Sequence, residues 1–181
     1  LKRASANEVR QRSMKQNTIE ELGERLVRRF GTRDPFAIAQ GLGIAVYREN
    51  FGRLKGMYRV IHRRRCLFVN KHLDEMTARI VCAHEIGHDQ LHRDAAKDQG
   101  LPELMLYNMT SRMEYEANMV AATILLSDED VLECIYQYHY DAAQTAHALQ
   151  TDVNLVALKI DLLRRRGHDL HGLEHDSKFL K

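Results

Sequence analysis

Two histidines four residues apart, with a glutamate beside the first, form His84-Glu85-Ile86-Gly87-His88. On an α-helix, residues four apart are separated by about 40° around the axis and one turn along it. Both imidazoles of such a pair face one side and can hold a single metal ion, and neutral imidazole bonds zinc at about 2.0–2.1 Å. Glu85 then lies where its carboxylate reaches a water on the remaining coordination position. Zinc brings the pKa of that water towards ~7, and the carboxylate takes its proton. This is the chemistry of the HExxH hydrolases. The bare pattern also arises as an inert His pair on the wet face of a helix. Gly87 argues for more: inside a helix it costs about 1 kcal/mol against Ala. It wants a reason, such as close approach of another element behind the metal.

A catalytic zinc needs a third protein ligand. His92 continues the spacing of four, but eight residues along a straight helix rise about 12 Å, too far for one ion. The longer pattern HExxHxxGxxH asks for Gly and His where this chain has Leu91 and Asp94. His92 is therefore expected behind a ligand or at the helix end. A better third ligand lies on a second helical stretch, where Glu114, Ala117, Asn118 and Ala121 share one face. That face is small apart from Glu114 and Asn118. It suits close packing on the first helix, with Glu114 on the metal and Asn118 orienting a ligating imidazole. The plainer reading of Glu114 is a solvated helix glutamate. Glu116 sits about 160° around the axis from Glu114 and reads as solvated. A donor for the developing oxyanion is sought among Tyr107, His92, Tyr138 and His139, and the sequence does not rank them.

Two blocks carry a resemblance. Ala83-His84-Glu85-Ile86-Gly87-His88-Asp89-Gln90-Leu91-His92 is close to A-H-E-(L/I/F)-G-H-x-x-L-H. Glu114-x-x-Ala117-Asn118-x-x-Ala121, followed by Leu125-Leu126, is close to E-x-x-A-N-x-F-A-x-x-L-L-M-P. With a short strand ending at Asn70, these make the chain similar to the ImmA/IrrE family of zinc metallopeptidases over about residues 19–166. Val120 replaces the family's Phe, and Ser127-Asp128 its Met-Pro; both bear on packing rather than chemistry. The resemblance implies one Zn2+ per chain on His84, His88 and Glu114, with Glu85 as general base. It also implies a cytoplasmic protein of a bacterium or mobile element, whose substrate is a helix-turn-helix repressor cleaved to free mobile-element or stress-response genes.

The elements that must position these residues are legible in outline. A helix opens near Thr18, with Glu21 three residues on and an apolar stripe of Ile19, Leu22, Leu26, Val27 and Phe30. Asp34-Pro35 starts a short second helix. Residues 44–47, 57–62 and 66–70 are strand-like, the last two joined through the basic turn Arg63 to Arg65 as a hairpin. The zinc helix is expected over Leu73 to His92, a loop with a helical turn over Asp94 to Thr110, and helices over Ser111 to Leu126 and Asp128 to His139. Ala142 to Leu149 and Asn154 to Arg166 resemble a helix-turn-helix pair. The fold class is α+β: a small antiparallel sheet packed on a mainly helical, zincin-like domain. The organisation expected is a tail or frayed helix at 1–17, the metallopeptidase domain at 18–140, the helix pair at 141–167 and a polar tail from 168. His168, His171 and His175 fall in that tail and read as solvated. Strand Cys66 to Val69 offers a sheet edge to an extended substrate.

Composition narrows the class. The 181 residues are 44% hydrophobic and 29% charged, with formal net charge +2, which suits one globular domain. The basic runs at Arg63 to Arg65 and Arg164 to Arg166 read as a solvated turn and a solvated helix end. Three scattered cysteines, Cys66, Cys82 and Cys134, form no CxxC pair and point to a reducing compartment. No apolar run approaches the ~20 residues of a membrane span. No membrane partner and no direct DNA binding are expected, and the chain reads as a monomer or weak dimer. Two rivals to the peptidase remain: a non-proteolytic anti-repressor that only binds its partner, and a DNA-binding regulator built on residues 142–166.

Overall fold

The computed structural model describes residue 19, residues 21–95, the backbone of residues 101–103, and residues 111–170. Helix α1 (21–30) leads through a turn to α2 (Pro35–Gly41), and three strands follow: β1 (Ala45–Glu49), β2 (Gly56–Ile61) and β3 (Arg64–Asn70). The long α3 (Glu75–Leu91) comes next, then the three-residue strand β4 (Leu101–Glu103). Four helices complete the chain: α4 (Arg112–Leu125), α5 (Asp128–Tyr136), α6 (Ala142–Ala148) and α7 (Val153–Arg165). The fold is α+β.

The helix ends follow local chemistry. Asp34, Asp74, Ser111, Ser127, Asp141 and Asp152 are N-caps whose side chains accept backbone N–H groups of the first turn. Asp141 and Gln144 close a reciprocal capping box. The hairpin between β2 and β3 turns on His62 and Arg63, both at positive φ (47° and 64°). Two left-handed residues match the strand twist of a tight hairpin.

The sheet differs from the expected antiparallel one. Its order is β1-β3-β2-β4, and β1 runs parallel to β3 while β2 is antiparallel to both β3 and β4. Residues 50–55 carry the chain past β3, so β2 lies on its far side. Two reversals leave β1 and β3 pointing the same way, and the sheet is mixed. Strand β3 is thus central, so Cys66 to Val69 is not an edge open to a substrate. Within the expected loop of Asp94 to Thr110, residues 101–103 form β4 instead, paired with Gly56 to Tyr58; the remainder, beyond residue 95, lies outside the described residues.

The core lies between one sheet face and the helices. Tyr58, Leu67 and Val69 are fully buried on the face that meets α3, where they join Ile80, Val81, Cys82, Ala83 and Ile86. Helix α4 adds Met119, Val120, Ala121 and Ile124, and α7 adds Leu155, Leu158, Ile160 and Leu162. Arg33 locks the α1–α2 turn to the end of α4, donating to the carbonyls of Thr123 (2.8 Å) and Ile124 (3.0 Å) while paired with Glu24. No described helix is long and apolar enough to cross a membrane.

The basic runs are not simply solvated. Arg65 belongs to β3 and pairs with buried Asp89. Arg166 pairs with Asp128, Arg165 reaches the Tyr115 hydroxyl, and Arg164 reaches the Leu170 carbonyl. Leu170 itself is buried, and His171 and His175 lie outside the described residues.

Candidate metal centre

Helices α3 and α4 pack at close range, and their contact assembles the site. Gly87 explains the closeness: a Cβ there would lie 2.8 Å from the Ala117 Cα. With no side chain between the backbones, Glu114 in the first turn of α4 reaches His84 and His88. Ser111 caps that turn by accepting the Glu114 N–H at 3.2 Å, and the helix N-terminus favours a carboxylate there.

The donor atoms converge. His84 Nε2 and His88 Nε2 are 2.9 Å apart. Glu114 Oε2 is 3.2 Å from the first and Oε1 is 3.5 Å from the second. His84, His88 and Glu114 each offer one ligand atom, all within 4.8 Å of one another. A tetrahedral ion with bonds of about 2.0–2.1 Å holds its donors roughly 3.3 Å apart, so the three side chains fit a common cation with little movement. Two imidazoles and a carboxylate are a donor set that suits zinc.

Each imidazole is backed on its other nitrogen. Asn118 Oδ1 lies 2.9 Å from His84 Nδ1. A carbonyl oxygen only accepts, so the proton sits on Nδ1 and Nε2 presents its lone pair to the cluster. His88 Nδ1 is 3.0 Å from His92 Nδ1. His92 is the C-cap of α3, one turn beyond His88, and its N–H still bonds the His88 carbonyl, so the two rings lie side by side. Burial pushes the His88 imidazole down to about 4, against the pull of Glu114. Burial would raise the Glu114 carboxyl, but the nearness of the His84 and His88 rings outweighs it and holds it far below the usual range. The cluster therefore has neutral imidazole at His88 and an anionic carboxylate near neutral pH, the forms that bind cations.

Glu85 is fully buried one residue from His84. Its carboxylate lies against Gly56 of β2: a Cβ at Gly56 would be 2.9 Å from Glu85 Oε1 and 2.4 Å from Val81 Cγ1. The start of β2 is therefore shaped around this glutamate.

A buried hub behind His88 fixes α3 against the hairpin. Asp89, with no exposure, accepts from the Tyr58 hydroxyl at 2.7 Å and from Arg65 Nη1 at 3.0 Å, and Arg93 adds a third partner. Arg65 also donates to the Leu42 carbonyl. Burial and the Asp89 carboxylate push the Tyr58 phenol well above its ordinary value.

The other candidates lie elsewhere. The Tyr138 hydroxyl donates to Glu133 of α5 at 3.3 Å, and His139 is exposed at a left-handed φ of 55°. Both sit past the end of α5, which packs on α6 and α7. Tyr107 falls outside the described residues. Glu116 departs from its reading as a solvated residue: its Oε2 is 3.1 Å from His92 Nε2, and Arg112 pairs with its other oxygen. Helical spacing puts it far from Glu114 and does not reveal that His92, at the end of α3, lies on that side. Nothing in the sequence spacing foretells that Tyr58 and Arg65 meet Asp89. The adjacency of Asp89 to His88 is the one signal the sequence carries.

Residues 39–161 match the family described as the IrrE N-terminal-like domain, Peptidase_M78. The chain is also 31% identical over 106 residues to a protein of Bacillus phage phi105 named "Uncharacterized immunity region protein 2". That match takes in 58% of this chain and 66% of the relative, just under two thirds of its length. The matched segment contains β1 to β3, α3 with His84, Glu85 and His88, and α4 with Glu114, and it covers more than half of the 181 residues: the chain belongs to the Peptidase_M78, or ImmA/IrrE, family.

Proposed function

We propose that this chain is a zinc-dependent endopeptidase that cleaves a helix-turn-helix repressor, and so relieves repression of mobile-element or stress-response genes. The observation that carries the chemistry is the convergence of His84 Nε2, His88 Nε2 and the Glu114 carboxylate beside buried Glu85. The repressor as substrate rests on the ImmA/IrrE resemblance and on the immunity-region name of the phage relative.

In this reading His84, His88 and Glu114 hold the ion, and Asn118 and His92 orient the two imidazoles. Bound zinc supplies a polarised water and a Lewis acid for the scissile carbonyl. Glu85 accepts the proton of the attacking water and passes it to the leaving amine. Its burial keeps competing water away from that transfer. The cytoplasm is the proposed setting, consistent with three free and buried cysteines.

The burial of α7 speaks against the DNA-binding rival. Leu155 to Ile160, Leu162 and Leu163 are all buried, whereas a recognition helix must present a face to the groove.

Replacing Glu85 by Gln tests the proposal with purified repressor as substrate. The peptidase reading expects wild-type metal content, retained repressor binding and cleavage lowered by several orders of magnitude. An anti-repressor that acts by binding alone would relieve repression equally well with Gln at position 85, and that outcome would sink the enzymatic reading.

A further inference from the structure

His84 and His88 are supported in different ways. Behind His84 stands a neutral amide, Asn118. Behind His88 stands a chain of three groups: His92, Glu116 and Arg112. The links are His88 Nδ1 to His92 Nδ1 at 3.0 Å, His92 Nε2 to Glu116 Oε2 at 3.1 Å, and the Arg112–Glu116 ion pair. His92 and Glu116 are both well covered, at 7% and 16% side-chain exposure, so water does not compete freely for these bonds.

Each imidazole in such a chain can carry its proton on either nitrogen, and taken alone the two rings leave the direction undecided. Glu116 decides it. A carboxylate only accepts, so His92 must carry its proton on Nε2 and donate it to Oε2. That leaves a lone pair on His92 Nδ1, which accepts from His88 Nδ1–H. His88 is then left with its lone pair on Nε2, the atom that faces His84 Nε2 and Glu114. Arg112, a donor only, keeps Glu116 in place.

We propose that Glu116 is a positioning residue for the metal centre: acting through His92, it imposes on His88 the one tautomer that can bind a cation. This rests on the zinc reading above and adds to it a role for a glutamate that touches no ligand atom. Orienting partners of this kind are typically worth about 10–100-fold in metal affinity.

The test measures zinc affinity by competition with a chromogenic chelator, on the full chain, for wild type, Glu116→Ala, Glu116→Gln and His92→Phe. Glu116→Ala should weaken zinc at least about tenfold. Glu116→Gln keeps an oxygen that can accept from Nε2–H and should recover most of that loss. His92→Phe preserves a ring of similar shape but removes the relay, and should match Glu116→Ala. If Glu116→Ala does not fold, the Gln and Phe variants carry the comparison alone. A second readout is the His88 Nδ1–H resonance in proton–nitrogen spectra of the zinc-loaded protein. It should lie downfield and exchange slowly in wild type, and move upfield in His92→Phe. Tight zinc binding by wild type with equal affinity in the variants overturns the relay and leaves the metalloenzyme reading standing. Absence of zinc binding by wild type overturns both.

Discussion

Ala117 of α4 stands directly against Gly87 of α3: a Cβ added at Gly87 would lie 2.8 Å from the Ala117 Cα and 3.0 Å from its carbonyl oxygen. Backbone cannot yield to such a contact as a flexible side chain can, so any residue but glycine forces the two helices apart. Glu114 is three residues before Ala117, and separating the helices withdraws it from the histidines.

The first prediction follows from that contact. Helix propensity alone would make Gly87→Ala stabilising by about 1 kcal/mol. The contact reverses the sign, and overpacking at a rigid site costs about 1–3 kcal/mol. Thermal unfolding should show a lowered midpoint, and elemental analysis should show less zinc per chain than wild type. A midpoint equal to or above wild type would mean that the helices are free to slide.

Glu114 should be needed for the metal but not for folding. Its carboxylate touches both Nε2 atoms, and its side chain keeps 22% exposure, so Glu114→Ala opens no cavity in the core. Protein purified without a histidine tag should carry near one zinc per chain in wild type and far less in Glu114→Ala. Metal-free Glu114→Ala should be less stable than metal-free wild type, since the fold holds this carboxyl far below its usual range, yet it should still unfold in one cooperative transition. Undiminished zinc in the variant would remove Glu114 from the ligand set.

Gly56 makes a more particular claim on Glu85. A Cβ there meets both Val81 Cγ1 and Glu85 Oε1, so Gly56→Ala should lower stability and disturb the carboxylate together. The double variant Gly56→Ala, Val81→Ala removes the first clash and leaves the second. It should regain thermal stability relative to Gly56→Ala while repressor cleavage stays reduced. Recovery of both would show that the glycine serves packing alone.

What the sequence disclosed and what it hid divide along one physical line. Spacing within a helix translates directly into facing, so His84 with His88, and Glu114 with Asn118, could be paired on paper. The cost of a helical glycine likewise pointed to the close approach at Gly87. Relations that depend on how one element lies against another could not be read this way. Strand β1 looks the same whether it neighbours β2 or β3, and the parallel pairing with β3 comes from the path of residues 50–55. Strand β4 has three residues with Pro102 at its centre, and no periodicity announces it. Glu116 lies on the far side of α4 from Glu114 by helical arithmetic, and how α4 lies against the end of α3, which brings it to His92, cannot be read from spacing within either helix.

Far from the metal centre, Asp128 supports a prediction with a definite sign. Lys159 is 1% exposed with its Nζ 2.6 Å from Asp128 Oδ1, and Arg166 holds Oδ2 at 2.7 Å. Burial would raise the Asp128 carboxyl, but Arg166 and Lys159 outweigh it and bring it from 3.8 down to about 2. A carboxyl depressed in the folded state contributes stability that is present above its unfolded pKa and lost as pH falls through the folded one. The contribution of Asp128 is therefore complete above about pH 4 and fades between about 4 and 2. Asp128→Ala leaves the Lys159 ammonium buried without its partner. Breaking a buried pair this way costs about 3–5 kcal/mol, less here because Asp128 is itself 35% exposed. Lys159→Met removes the buried charge instead, leaves Arg166 on Asp128, and should be neutral or stabilising. Urea titrations at pH 7 and pH 3 separate these expectations: the gap between wild type and Asp128→Ala should be widest at pH 7 and clearly narrower at pH 3, where part of the ion-pair contribution has faded. A gap independent of pH would assign the loss to packing rather than to the ion pair.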